Sequence, residues 1–272
     1  MLTPISSGMR WLLRTAGFLV LLAGFQLFIL TEFTDQYFAW TIKPFITAAF
    51  LGGGYFASCL LEFLASRRGK WVEARIAVPA VFTFTTLTLI ATLLHLDRFH
   101  FNSPSVLAWF AAWFWLAIYA TVPLAMLVMW ILQHRLSKRD EKSSTSLPVA
   151  LRFLLAAQSV IMLVWGVSLF VDPSYSMASW PWMLTPLTSQ AIGAWLIGIG
   201  VLAAHTFIEN QFSRVRIALI SFLAFGILEI IALIRYPGSF DWSEVSGRVY
   251  LALVGSMLLT GLFSMKSGSA KH

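Results

Sequence analysis

Charge is what this chain has least of. Only 11% of its 272 residues are Asp, Glu, Lys or Arg, against 58% hydrophobic, and its mean hydropathy is +0.78. A soluble domain carries about 25% charged residues, so a water-covered globular surface is excluded and the chain reads as an integral membrane protein. Cysteine is nearly absent. Cys59 stands alone inside an apolar run, which excludes an intramolecular disulfide and fits a small core residue. Catalytic and nucleotide signatures are missing as well: there is no Walker loop or dinucleotide fingerprint and no Gly-x-Ser-x-Gly elbow. No His-Glu-x-x-His motif, Cys pair or facing histidines supports a metal or haem, so neither metal nor cofactor is expected. The net charge of +7 suggests nucleic acid only until its distribution is read. The basic residues fall in short loops between apolar runs, as membrane topology requires, and no nucleic-acid partner is expected.

What is present is apolar length. A spanning helix needs about 20 predominantly apolar residues. Eight segments qualify, near 12–30, 45–65, 76–95, 105–132, 150–171, 187–207, 216–234 and 248–265. The expected fold is an all-α integral membrane bundle of eight transmembrane helices. Arg10 and Arg14 ahead of the first run resemble the charged start of a signal peptide. No small-x-small cleavage pattern follows, however, and the run recurs internally after Arg152, so it is expected to be retained. Eight spans return both termini to one side, and Lys and Arg decide which. Fifteen of the nineteen fall at the N-terminus, in the even-numbered loops and in the tail, leaving Lys43, Arg98, Arg235 and Arg248 for the other side. The basic side is cytoplasmic. Both termini are expected there, in a multi-pass protein of the cell (plasma or inner) membrane whose first partners are membrane lipids.

The chain also repeats itself. Moved 142 positions, Gly24 to Pro44 falls on Gly166 to Pro186, with Leu27-Phe28 on Leu169-Phe170 and Trp40 on Trp182. A shift of 141 sets Arg75-Ile76-Ala77 on Arg216-Ile217-Ala218. Ordered matches at a near-constant offset read as a tandem duplication. With four spans per copy the repeats are parallel: residues 1–132, a polar basic linker over 133–147 that reads as a solvated tether, and residues 148–272. Small residues four apart, Gly54 and Ser58, Ala194 and Gly198, Gly200 and Ala204, let backbones approach closely. They make the second and sixth spans the expected packed centre, facing one another across a pseudo-twofold axis, as packing contacts rather than a pore lining. Pro44 and Pro186 each open an apolar run, with Thr185 placed to cap the sixth helix.

The loops opposite the termini are rich in rings, Phe33, Tyr37, Phe38, Trp40, Phe99 and Phe101 in the first half and Tyr175, Trp180, Trp182, Tyr236, Phe240 and Trp242 in the second. An interfacial aromatic belt is the first expectation, and a vestibule for an apolar or cationic guest the second. Ionisable groups at membrane depth mark the candidate sites. Glu229 lies in an apolar run about one and a half turns before Arg235, as a proton- or cation-binding carboxylate or as a structural group paired with an arginine or a helix dipole. Glu62 is expected to pair near Arg67 and Arg68, and His205 with Glu209 to form an interfacial hydrogen bond. His95, Asp97 and His100 offer acid–base chemistry at the end of the third span, where Arg98 can hold an anion. Slipping the offset to 137 matches Arg98-Phe99 with Arg235-Tyr236, suits a lipid-headgroup contact in both halves, and sets Glu229 opposite Thr92.

Three functions remain open. The first is a non-enzymatic membrane protein that binds or moves a small amphipathic or apolar molecule between its two copies near the outer face, with Glu229, Arg98, Arg235, Trp40 and Trp182 as ligand-binding residues. The second is an accessory or scaffold subunit, in contact with another membrane protein or with a second copy of itself. The third is a membrane-embedded enzyme acting on a lipid-like substrate through His95, Asp97 and His100.

Overall fold

A computed structural model describes residues 3–137 and 146–266. Most of the basic linker expected over 133–147, including Lys138, Arg139 and Lys142, lies outside the described residues. Among those described there is no β-strand, and eight helices are long and apolar enough to cross a membrane. They are α1 (Ser7–Gly24, continued by a π-helical turn Phe25–Ile29), α2 (Phe45–Ser66), α3 (Ala77–Leu94) and α4 (Val106–Leu136), then α5 (Val149–Val171), α6 (Pro186–Glu209), α7 (Phe212–Arg235) and α8 (Val245–Lys266). The chain is therefore a polytopic helical membrane protein. Every expected span is present, and the ends that differ most have local causes. The Ser6 hydroxyl accepts the Met9 N–H at 3.3 Å and starts α1 ahead of its apolar run. Past its own apolar run α4 adds a last turn bearing Arg135, a cation that suits the negative end of a helix dipole. Thr185 and Thr188 form a capping box at the head of α6, with Pro186 in its first turn.

The outer wall is apolar. Trp11, Phe153, Val164 and Val171 are all more than half exposed, as side chains facing lipid are. The most buried spans are α2 and α6, with 78% and 67% of their apolar windows inside the bundle. They owe this to small residues. A Cβ on Gly52 would lie 2.5 Å from the backbone N of Phe28, and one on Gly193 3.0 Å from that of Phe170. Only glycine lets α2 close on α1, and α6 on α5, at these points.

The pairings then run across the middle of the chain. Helix α2 packs on α1 and α7, and α6 packs on α5 and α3, while α3 also packs on α4 and α7 on α8. The hairpin α3–α4 thus leans on the second half, and α7–α8 on the first. Where α2 meets α6, Gly54 receives the ring of Trp195, and the Tyr55 ring stands edge-on to it at 5.0 Å.

Polar ties close both ends of the bundle. On the side of the termini, Gln133 is fully buried, accepts the Ser6 N–H at 2.8 Å and donates to the Pro4 carbonyl at 3.0 Å. On that side too, Glu209 accepts from Arg75 at 2.7 Å and from Arg214 at 2.8 Å. The expected His205–Glu209 hydrogen bond does not form: two guanidinium groups occupy the carboxylate, and His205 Nδ1 has no partner. On the opposite face, the His100 N–H donates to the Ala39 carbonyl at 2.9 Å and the Asp241 N–H to the Pro181 carbonyl at 2.8 Å. Each bond fastens the loop after a third or seventh helix to the segment that leads into α2 or α6.

Candidate functional site

On the face opposite the termini a vestibule of about 430 Å³ opens between the two halves of the chain. Trp40 and Thr41 come from the segment before α2, His95, Asp97 and Arg98 from the end of α3, and Thr185, Pro186 and Leu187 from the head of α6. Its size falls in the usual range for a small-molecule pocket. The Trp40 ring, Pro186 and Leu187 supply its apolar lining, while hydroxyls, an imidazole and an ion pair supply its polar lining. Asp97 and Arg98 pair at 3.0 Å, yet their side chains are 69% and 71% exposed. So exposed a pair contributes little to stability and leaves the guanidinium free to exchange Asp97 for an incoming anion.

His95 is held by a chain whose donors can be assigned. The Gln190 amide nitrogen donates to the Phe170 carbonyl at 2.9 Å, which turns its oxygen toward His95 Nε2, also at 2.9 Å. That oxygen only accepts, so Nε2 carries a proton and, in the neutral ring, Nδ1 keeps the lone pair. His100 is spent otherwise. Its Nδ1 faces the Phe38 carbonyl at 2.9 Å and its Nε2 the Thr41 hydroxyl at 3.0 Å. It pins the vestibule's edge rather than lining it, so the proposed pair of imidazoles resolves into one imidazole at the cavity and one structural tie. Among the described residues no three His, Cys, Asp or Glu side chains converge as metal ligands would.

The aromatic residues divide. Tyr175 and Trp242 are exposed, but Phe38, Trp40, Phe99, Trp180, Trp182 and Phe240 are buried, so half the expected belt is core. Trp40 packs against Phe38, Phe99 and Trp115 with centroids 4.8–5.1 Å away. Trp182 packs against Trp180, Phe240 and Tyr250 at 5.0–6.2 Å. The Trp182 Nε1–H donates to Thr47 at 2.9 Å, whereas the Nε1 of Trp40 has no partner.

Glu229 is fully buried beside the second of these clusters. The Tyr250 hydroxyl donates to its Oε2 at 2.7 Å, and Oε1 lies where a Cβ on Gly53 would meet it. It does not pair with Arg235. That guanidinium turns back to α1, donating to the Phe28 carbonyl and to Thr31 Oγ1, and lies over the rings of Phe28 and Tyr236. It is a staple between α7 and α1 and does not reach the vestibule. Glu62 departs further from expectation. It is 1% exposed, receives the Ser58 hydroxyl at 2.9 Å and leaves Oε2 without a partner, while Arg68 pairs with Glu73 at 3.8 Å. Residues five or six apart do not share a helix face, so Arg67 and Arg68 point away from it. The i, i+4 spacing of Ser58 and Glu62 was the available signal.

Between α2, α3, α6, α7 and α8 lies a smaller central cavity of about 40 Å³. Apart from Met257, its lining falls into seven pairs, each separated by 141 positions: Gly54 and Trp195, Ala57 and Gly198, Ser58 and Ile199, Leu61 and Leu202, Ala80 and Ser221, Val81 and Phe222, Phe84 and Phe225. No protein-family model, curated protein or solved structure matches this chain.

Proposed function

We propose that this protein binds a small amphipathic molecule in the vestibule between its two halves, at the outer face of a plasma or inner membrane, and acts without covalent chemistry. The observation that carries this reading is the make-up of the vestibule: apolar side chains, one exchangeable cation and a fixed imidazole, contributed by both halves. Such a site suits a ligand with an apolar body and an anionic or hydrogen-bonding head. His100 is occupied by two structural bonds, which weighs against a two-histidine acid–base mechanism. We place Trp182, Glu229 and Arg235 outside the binding surface, as parts of its support, and keep Trp40 and Arg98 in it.

The same reading takes the chain as a tandem duplication with both termini in the cytoplasm. Support comes from the seven cavity-lining pairs and from helix pairings that recur four helices on. It comes also from the matched backbone bonds, His100 to Ala39 and Asp241 to Pro181, and from single 3₁₀ turns at Leu96–Arg98 and Pro237–Ser239. All of these favour an offset of 141, or 142, with no slip to 137. Glu229 then stands opposite Thr88 rather than Thr92.

The test is native mass spectrometry of the protein released gently from its own membrane. One small molecule per chain is expected. It should vanish when Thr185→Trp fills the vestibule, and an Arg98→Ala change should weaken it about tenfold, the loss expected for one charge-assisted hydrogen bond. A folded wild-type protein that never carries such a molecule would remove the proposal.

A further inference from the structure

The vestibule is not isolated. Beneath it lies a cell of about 10 Å³, and Trp40 and Leu187 line both. The central cavity lies beneath that cell, and Phe84 and Trp195 line both of these. Three cavities therefore follow one another through the bundle, each divided from the next by two side chains. The lower divider is tight, with the Phe84 and Trp195 rings 3.9 Å apart at 32°. The central cavity reaches Leu61, five residues before α2 ends at Ser66, a rise of about 7.5 Å.

Unpartnered polar atoms cluster on this line. Trp40 and Thr88 both line the middle cell, they are 3% and 6% exposed, and neither the indole Nε1 nor the threonine Oγ1 has a hydrogen-bond partner. Ser58 on the central cavity donates to Glu62, whose second oxygen is also unpartnered. Buried polar groups are normally satisfied, so orphaned ones along a run of cavities point to a guest that supplies the missing bonds. At two equivalent positions of the other half the side chains are bulkier. Ala191 of the middle cell corresponds to Phe50, and Thr88 to Glu229, whose carboxyl takes the Tyr250 hydroxyl.

We infer that the three cavities are closed sections of one passage. It admits a small uncharged amphipathic molecule from the vestibule, past Trp40 and Leu187, then past Phe84 and Trp195, to the Ser58–Glu62 end of α2. This rests on the vestibule being a binding site. A charged guest is excluded, because the two lower cavities have no charged side chain on their walls to replace its water. Passage requires the two dividers to swing aside in turn, and each divider includes an aromatic ring.

Cysteine reactivity tests this in the full-length protein in liposomes. The only native thiol, Cys59, is first changed to Ala, and iodoacetamide, itself small, uncharged and amphipathic, is the probe. Thr41→Cys reports the vestibule, Thr88→Cys the middle cell and Ser58→Cys the central cavity. Ser159→Cys is an equally buried control off the route, where the native hydroxyl bonds the Gly200 carbonyl. Both passage cysteines should react about tenfold or more faster than the control, which is reached only by local unfolding. Trp195→Ala should speed Ser58→Cys further and leave Thr88→Cys unchanged; Phe84→Leu serves if the alanine variant does not fold. If Thr41→Cys reacts while the two deeper positions are as slow as Ser159→Cys, the passage is wrong and the vestibule stands. If Thr41→Cys is itself unreactive, the vestibule reading fails with it.

Discussion

At the scale of single residues, the two membrane-depth acids teach different lessons. Glu229 stands out in the sequence because six apolar neighbours surround it, but its partner does not. Tyr250 is 21 positions away on the next helix, and only the α7–α8 contact brings them together. Glu62 misleads for the opposite reason. Arginines close by in sequence promise a pair that the helix phase forbids, and the true partner is Ser58 one turn earlier, which the sequence marks only as a packing residue. In both cases one carboxyl oxygen has a single hydroxyl donor and the other has none. Removing the donor should therefore cost more than an ordinary hydrogen bond, because it strands a buried acid. Tyr250→Phe is expected to lose about 1–3 kcal/mol, and Glu229→Gln less, since an amide oxygen still accepts from Tyr250. Thermal unfolding in detergent measures both. The double variant should lose less than the sum of the two, as coupled neighbours do, and simple additivity would deny that they interact.

At the scale of elements, the spans were legible because lipid imposes length and apolarity on each one separately, and neither depends on tertiary context. Their contacts were legible only as spacing. Gly54, Ser58 and Gly198 read as packing positions, and they line the central cavity as well; within α2 and α6 the tightest approaches fall at Gly52 and Gly193, outside those spacings. Gly52→Ala and Gly193→Ala should each cost about 1–3 kcal/mol by overpacking. Gly255→Ala in α8 has nothing within 4 Å and should be neutral, or gain up to about 1 kcal/mol in helix propensity. Equal behaviour of all three in a stability assay would contradict the close approaches. The loop before α8 offers a pH test. The Ser243 hydroxyl, with the backbone N–H groups of Ser243 and Glu244, donates to Asp241 and holds its carboxyl below the usual aspartate value of 3.8. A depressed pKa in the folded state means that this contribution is present above the unfolded value and lost as pH falls through the lowered one. Amide exchange at Ser243 and Glu244 should stay slow at pH 3.8 and quicken only below it. In Asp241→Asn that step should disappear, and a step at the ordinary aspartate value would show that the bonds do not hold in solution.

At the scale of the whole molecule, the proposed internal repeat would carry a consequence that the sequence hides. Matching segments read as two copies, and two copies suggest two bodies joined by a tether. The pairings describe something else, since α3 packs on α6 and α7 on α2 across the middle of the chain, while α4 and α8 also touch α1 and α5 of their own halves. Linear similarity records which segments correspond, not which ones touch, and an exchanged hairpin leaves no mark in it. On the proposed duplication, one ancestral copy would have paired with another in the same crossed manner, and joining the two fixed the partner. The vestibule and the central cavity both lie where residues of the two halves meet, so neither half holds a complete site. Residues 1–137 expressed alone should therefore lack the partner of α3 and be degraded or aggregate, and residues 146–272 should do the same. Expressed together as separate chains, they should assemble and co-purify in equal amounts, because the cut falls in the linker and leaves the crossed contacts intact. Size-exclusion chromatography and unfolding in detergent distinguish the outcomes. If the first half is monomeric, helical and cooperatively folded by itself, the hairpins are not exchanged and each copy closes on its own helices.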